Sequence, residues 1–321
     1  MNRREFLKAA GAAAAALAAG CNGLETAEKP PPAPPPRSAG YGGPIFDAHT
    51  HVVVGVPGTA GSVERLRESM KAANVDGALV MASTLLEAAI PYAEERTTPI
   101  GLSGLEKIAE HLAPRGPLVP FAFVNPHRAD AAALARTRDA ARRGLLRGLK
   151  IGLGYYRVWA ADDRYRPFYK LADDLGLPVM FHTGDVYDKK GHLKYAQPLT
   201  VDEVAVEFPS VRFILAHLGN PWTLEAAEVV YKNENVYADI SAFAVGDEDY
   251  FRSPEKREVL DDVVARVRQA FLYAEAPGRF LHGSDWPLVP MGPYADLMRR
   301  AIPEGHHAAV FRENARKLFG V

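Results

Sequence analysis

The sequence has little of two things that often define a protein's class, cysteine and net charge. One cysteine, Cys21, stands among 321 residues, so no internal disulfide can form. Lysine and arginine number 38 against 39 aspartate and glutamate, which gives a net charge of −1. This balance provides no electrostatic attraction for nucleic acid, and we expect no nucleic-acid partner. The hydrophobic fraction of 48% is sufficient for one large core or two smaller ones.

The apolar run near the N-terminus is shorter than the roughly 20 residues that a membrane-spanning helix needs. It covers residues 9–19, follows the pair Arg3 and Arg4, and ends at Gly20 and Cys21. A basic start, a short apolar stretch and small residues are typical of a signal peptide, and the arginine pair resembles a twin-arginine export signal. The residues before Cys21 (Leu-Ala-Ala-Gly) resemble a lipobox, although an Ala-rich helix that ends at a cysteine would look similar. We therefore predict a signal region over residues 1–21 and an exported protein of the periplasm or cell envelope, attached to the membrane only through a lipid on Cys21.

A proline-rich segment follows the predicted signal region. Residues 29–36 read Lys-Pro-Pro-Pro-Ala-Pro-Pro-Pro, which excludes helix and central strand and favours an extended chain. We predict that residues 22–43 form a linker between the lipid and the enzyme domain, with a proline-rich docking motif as the alternative. The domain is then predicted to occupy residues 44–321.

Beyond the linker, short apolar runs alternate with helical patterns, as in a buried parallel sheet. Eight such runs over this length predict a (β/α)8 TIM barrel. A doubly wound open sheet would carry a glycine-rich turn after its first strand, where this chain has His49-Thr50-His51 instead. The predicted strands are Pro44–Val52, Gly77–Ala82, Leu118–Val124, Gly148–Gly152, Pro178–His182, Arg212–His217, Val236–Ser241 and Arg279–Asp285. The predicted helices include Ser62–Ala73, Ala129–Arg143, Arg166–Leu175 and Glu255–Ala274.

Polar side chains recur where the predicted strands end. His49 and His51 are two residues apart on the first strand, so they point to the same side. His182, His217 and Asp285 end the fifth, sixth and eighth strands. The separations from His49 onward are 133, 35 and 68 residues, about four, one and two strand–helix units. All five side chains are therefore expected at the carboxyl ends of the strands, where barrel enzymes place their active sites.

These motifs together resemble the amidohydrolase superfamily. The segments are Asp-Ala-His-Thr-His, Phe-His-Thr-Gly-Asp, Ala-His-Leu-Gly-Asn-Pro-Trp and Gly-Ser-Asp-Trp-Pro, and the likeness is greatest to the amidohydrolase-related branch that includes aminocarboxymuconate-semialdehyde and resorcylate decarboxylases. The resemblance implies one divalent metal, with zinc expected and manganese as the alternative. It implies the metal ligands His49, His51, His182 and Asp285, and the catalytic residues His217 and Asp285. Lys150, on the fourth strand, would bridge the ions if the site held two metals.

The ligand set leaves the reaction open. The leading interpretation is a hydrolase that uses a metal-activated water on a small amide, ester or lactone. The alternative is a lyase that decarboxylates or hydrates an aromatic or unsaturated acid, and a third is a non-catalytic ligand-binding lipoprotein. Asp47 is expected to orient the histidine pair or to cap the strand, and His282 to support the loop before Asp285. Candidate substrate contacts are Tyr155, Tyr156, Arg157, Trp159, Asn220 and Trp222, whereas His111, His127, His192, His306 and His307 are expected to be structural or on the surface.

Overall fold

A computed structural model describes residues 41–54, 61–84, 101–112 and 116–321. The predicted signal region and the predicted linker as far as residue 40 lie outside these residues. Strands and helices alternate along the described chain, and eight strands form one parallel sheet in the order β1 to β8. The predicted TIM barrel is confirmed. In the part of the chain that is described, no helix has the length and apolarity needed to cross a membrane.

The strands have two to ten residues, and most of their described residues are buried, as the apolar runs in the sequence predict. They are β1 (Ile45–Val54), β2 (Val75–Thr84), β3 (Leu118–Phe123), β4 (Gly148–Ile151), β5 (Val179–His182), β6 (Phe213–Ala216), β7 (Val236–Asp239) and β8 (Phe280–Leu281).

The helices begin and end at residues that favour those boundaries. Ser62 accepts a hydrogen bond from the amide of Arg65 and so caps the first helix, and Gly176 ends the fourth at a φ of 64°, which glycine adopts without strain. The α-helices are α1 (Val63–Ala72), α2 (Ser103–Lys107), α3 (Ala131–Arg142), α4 (Arg166–Leu175), α5 (Thr200–Glu207), α6 (Thr223–Lys232), α7 (Glu248–Arg252), α8 (Arg257–Ala274), α9 (Met291–Ala301) and α10 (Asn314–Phe319).

Two predicted strands are shorter than expected at the end that carries a site residue. β6 ends at Ala216 because the next residue, His217, has a φ of 59°. β8 ends at Leu281, and Asp285, which the sequence places in this strand, lies beyond it with a φ of 74°. These left-handed conformations are incompatible with a strand. The segment after β8 still closes the barrel, since the amides of Ala48 and His51 donate to the carbonyls of His282 (2.8 Å) and Trp286 (2.7 Å).

The C-terminal helix α10 closes the end of the barrel at which the strands begin. The ring of Phe319 lies 5.7 Å from the rings of both Phe46 and Phe121, which point into the barrel. Two arginines that precede strands hold this helix: Arg147 donates to the carbonyl of Phe319, and Arg212 donates to that of Leu318 at 2.9 Å. The interior cluster comprises Phe46, Ala48, Leu79, Met81, Val119, Phe121, Met180, Ile214, Ala216, Leu281, Ala315, Leu318 and Phe319.

Phe319→Ala should lower the free energy of unfolding by about 3–5 kcal/mol, because it removes a buried ring from a closed interior and leaves a cavity. Urea unfolding followed by circular dichroism measures this loss. Leu272→Ala, at a side chain that is 53% exposed, should change stability by no more than about 0.5 kcal/mol. Equal losses in the two variants would contradict the assignment of α10 as part of the core.

Candidate metal centre

Three donor atoms converge beside β1, which carries two of them. The Nε2 atoms of His49 and His51 lie 3.3 Å apart, and Asp285 Oδ1 lies 3.5 Å from the first and 3.1 Å from the second. The amide of Asp285 donates to the His49 carbonyl at 2.8 Å, which fixes the loop after β8 against β1. His49 is fully buried, whereas His51 is partly exposed at the mouth. The pair therefore points to one side of β1, as its spacing predicts.

The protonation of this group suits a cation. Burial, followed by the nearby Lys150 ammonium, lowers the pKa of His49 well below its ordinary value. Burial raises the pKa of Asp285, but the imidazoles of His49 and His51 lower it by more, so the carboxyl is ionised at neutral pH. Tetrahedral ligands at zinc-like bond lengths are separated by about 3.3 Å. The three donor atoms have this spacing, and the residues present fit a divalent metal.

Asp239, which the sequence analysis did not single out, holds His49 from behind. Its Oδ2 accepts from His49 Nδ1 at 2.8 Å, so the His49 proton lies on Nδ1 and the Nε2 lone pair faces His51 and Asp285. Asp239 is fully buried and ends β7. Its position at the end of an apolar strand was a usable signal, because the other site residues stand at the same place in their own strand–helix units.

His217 lies directly beside His49, with the two ring centres 4.7 Å apart. Its left-handed backbone directs its amide at Asp239 Oδ1, at 3.0 Å. The ring Nδ1 lies 2.9 Å from Ser241 Oγ. Burial, and then the neighbouring His49, lowers the pKa of His217 to about 4. His217 is therefore a neutral imidazole at pH 7.

His182 lies at the same mouth but outside the compact group of three donors. Its Nε2 donates to the carbonyl of Asp185 at 2.8 Å, and its ring centre is 4.9 Å from that of His217. A carbonyl can only accept, so the neutral ring has its lone pair on Nδ1. Among the described residues, the compact donor groups are His49, His51 and Asp285, and His49, His217 and Asp239. The assignment of His182 as a ligand stays a prediction.

Lys150 is buried next to the donor group. Its Nζ lies 3.3 Å from His49 Nε2 and 3.3 Å from the Met180 sulfur. Burial lowers its pKa to about 8, although Asp239 and Asp285 oppose that change. The structure thus places Lys150 in contact with His49, and its role in a site with two metals stays a prediction.

Asp47 braces the strand from which the two histidines project. It accepts from the amides of His49 (3.1 Å) and Ser284 (2.9 Å) and from the Ser284 hydroxyl (2.6 Å). Burial raises its pKa to about 7. Asp47 therefore links β1 to the loop that carries Asp285, in line with its expected orienting role. The ring of His282 packs on Phe311 at 4.8 Å, away from the donor atoms.

Aromatic side chains contact two of the histidines at the mouth. Phe123 stacks on His51 with ring centres 6.1 Å apart, and Tyr155 meets His182 edge-on at 4.9 Å. Arg157 and Trp159 are exposed in the loop after β4. Asn220, another predicted substrate contact, is hydrogen-bonded within the protein, because its Oδ1 accepts from Arg266 at 2.6 Å. Of the histidines expected to be structural, His307 is buried and donates to the carbonyl of Ile302 at 2.8 Å.

Two family models match the chain. Residues 46–321 match the model of the amidohydrolases, and residues 1–20 match that of the twin-arginine translocation pathway signal sequence. The predicted signal peptide is thereby confirmed, and it supports export across the cytoplasmic membrane. No protein of curated function matches the chain in sequence.

Several solved structures share the fold at low sequence identity. The 2,6-dihydroxybenzoate decarboxylase from Rhizobium is 16% identical with a TM-score of 0.61, and the match covers 87% of this chain and 99% of that one. A dihydroxybenzoic acid decarboxylase from Polaromonas sp. JS666, with bound manganese and 2-nitroresorcinol, is 14% identical with a TM-score of 0.60 and coverages of 87% and 97%. A probable 2-pyrone-4,6-dicarboxylic acid hydrolase from Acinetobacter baumannii is 13% identical with a TM-score of 0.59 and coverages of 86% and 99%.

The family match extends from the second residue of β1 to the last residue of the chain, and it includes all the donor atoms described above. The resemblance that the four motifs predict is confirmed, and the chain belongs to the amidohydrolase family.

Proposed function

We propose that this protein is a metal-dependent lyase that decarboxylates a small aromatic acid. The prediction of a hydrolase as the leading function is wrong, because the similar structures are mainly decarboxylases of aromatic acids. One probable hydrolase among them gives that interpretation only weak support. The observation that carries the proposal is the group of three donor atoms beside His217, at the mouth of a barrel that those decarboxylases share.

The metal would be held by His49, His51 and Asp285, with His182 Nδ1 as the fourth donor. A divalent ion bound there would supply a Lewis acid that polarises a substrate oxygen. We propose one metal per chain, either manganese or zinc. Manganese is supported by its presence in the Polaromonas decarboxylase structure, and zinc by two or three imidazole donors at tetrahedral spacing.

His217 would handle the proton. Its Nε2 accepts the proton of a ring hydroxyl and returns it to the ring carbon that carries the carboxylate. The bond from that carbon to the carboxylate then breaks, its electron pair stays with the ring, and carbon dioxide leaves. The ring oxygen regains a proton from solvent, so one carboxylate and one proton give one arene and one carbon dioxide. Asp285, which is ionised and belongs to the neighbouring donor group, would stabilise the protonated His217.

The walls of the mouth suit a flat ring. Phe123 and Tyr155 present aromatic surfaces next to His51 and His182. Arg157 follows β4 on the same side and would pair with a second acidic group of the substrate.

The remaining features of the proposal concern location. We propose that Cys21 carries the lipid anchor, that residues 22–43 link it to the domain, and that a small molecule, with no nucleic acid, is the partner of the site. The number of chains in the assembly is left open.

The first prediction is the metal content of the purified protein. Elemental analysis should find about one manganese or zinc per chain. His51→Ala and Asp285→Asn should each lower it at least about tenfold, because the first removes an imidazole donor and the second replaces a carboxylate donor with a neutral amide. His51 is the best of the histidines to change, since it is the partly exposed one. His127→Ala, which removes an exposed imidazole, should keep the metal.

Two metals per chain, lost on Lys150→Met, would instead assign a binuclear site. Metal that remains in both His51→Ala and Asp285→Asn would contradict the donor group.

The second prediction concerns the reaction. With manganese or zinc bound, 2,6-dihydroxybenzoate or 5-carboxyvanillate should release carbon dioxide, measured in a sealed vessel, together with one equivalent of the decarboxylated phenol on chromatography. His217→Asn should lower kcat by about 100- to 10,000-fold, the range for loss of a general acid–base. Hydrolysis of a lactone or ester without carbon dioxide release would overturn the proposed reaction.

A further inference from the structure

Ser241 and Asp239 lie behind the donor group, and their hydrogen bonds join His49 to His217. Asp239 Oδ2 accepts from His49 Nδ1, at 2.8 Å. Asp239 Oδ1 accepts from the amides of His217 and Ser241, both at 3.0 Å, and from the Ser241 hydroxyl. The Ser241 oxygen also lies 2.9 Å from His217 Nδ1. All four residues are buried.

The position of each proton follows from what each group can donate. A serine hydroxyl has one hydrogen, and Ser241 gives it to Asp239 Oδ1. Toward His217 the same oxygen can only accept, so the hydrogen of that contact belongs to His217 Nδ1. A neutral imidazole has one N–H, which leaves His217 Nε2 with a lone pair. His49 is arranged in the same way, with its proton toward Asp239 and its lone pair toward His51.

We propose that Ser241 is a positioning residue that holds His217 in the tautomer with a bare Nε2 and connects it, through the shared carboxylate of Asp239, to the ligand His49. This inference rests on the proposed function, in which that nitrogen accepts a proton. The carboxylate of Asp239 then sets the tautomers of both histidines. It accepts directly from the ligand His49, and it acts on the base His217 through the Ser241 hydroxyl. A neutral ring with its proton on Nε2 could not accept the substrate proton at that nitrogen.

The tautomer can be measured without turnover. Protein with ¹⁵N-labelled histidine and bound zinc, which is diamagnetic, should show His217 with its proton on Nδ1 in long-range ¹H–¹⁵N spectra. The signal is assigned by its loss in His217→Asn. Ser241→Ala should move the proton wholly or partly to Nε2. Wild-type His217 with its proton on Nε2, or an unchanged tautomer in Ser241→Ala, would overturn the proposal.

The activity measurement separates positioning from packing. Ser241→Ala should lower kcat by about 10- to 100-fold, the effect typical of losing a partner behind a site residue, with KM within about twofold. Ser241→Thr, which keeps the hydroxyl, should recover most of kcat. Thr137→Val is the matched control, because it removes another buried hydroxyl that donates to a carbonyl at 2.8 Å in α3. It should keep kcat.

Equal losses of kcat in Ser241→Ala and Thr137→Val, or wild-type kcat in Ser241→Ala, would contradict a positioning role. If no aromatic acid is decarboxylated but the tautomer of His217 depends on Ser241, the proposed reaction fails and the positioning role stands.

Discussion

The structure of the mouth depends on one constraint: two imidazole nitrogens and a carboxylate oxygen lie 3.1–3.5 Å from one another in a largely buried place. Three such atoms repel one another unless a proton or a cation lies between them, because like partial charges are poorly screened in a buried place. The surroundings keep the donors in this orientation. Asp239 holds His49 from behind, and Asp47 ties β1 to the loop that carries Asp285. Both carboxylates thus act on His49, Asp239 through its side chain and Asp47 through its backbone amide.

A metal bound by this donor group can assist either hydrolysis or decarboxylation. The motifs predict only the donor group, and this explains why they led to the hydrolase interpretation. A metal that polarises an oxygen can assist attack by water or loss of a carboxylate. What distinguishes the reactions is the shape of the mouth and where the proton is delivered, and those depend on loops. The aromatic surfaces of Phe123 and Tyr155 belong to such loops and strand ends, which no motif includes.

Much of the fold and part of the site were readable from the sequence. Repeated strand–helix spacing predicted the barrel, and it brought His49, His51, His182, His217 and Asp285 to one face. Asp239 was missed because a single aspartate at the end of a strand is common. The left-handed backbones of His217 and Asp285 were not predictable, because neither is glycine and tertiary contacts impose these conformations. The packing of Phe319 beneath the barrel depends on contacts across the whole chain, which local patterns do not report.

The position of α10 has a practical consequence. The C-terminal helix seals the face at which the strands begin, and Tyr41, where the described chain starts, contacts the same face near Asn74 and Arg299. Both ends of the domain are thus opposite the donor atoms. A fusion partner or a solid support attached at residue 41 would lie on the face of the barrel away from the donor atoms. Substrate would then approach from the side away from the point of attachment.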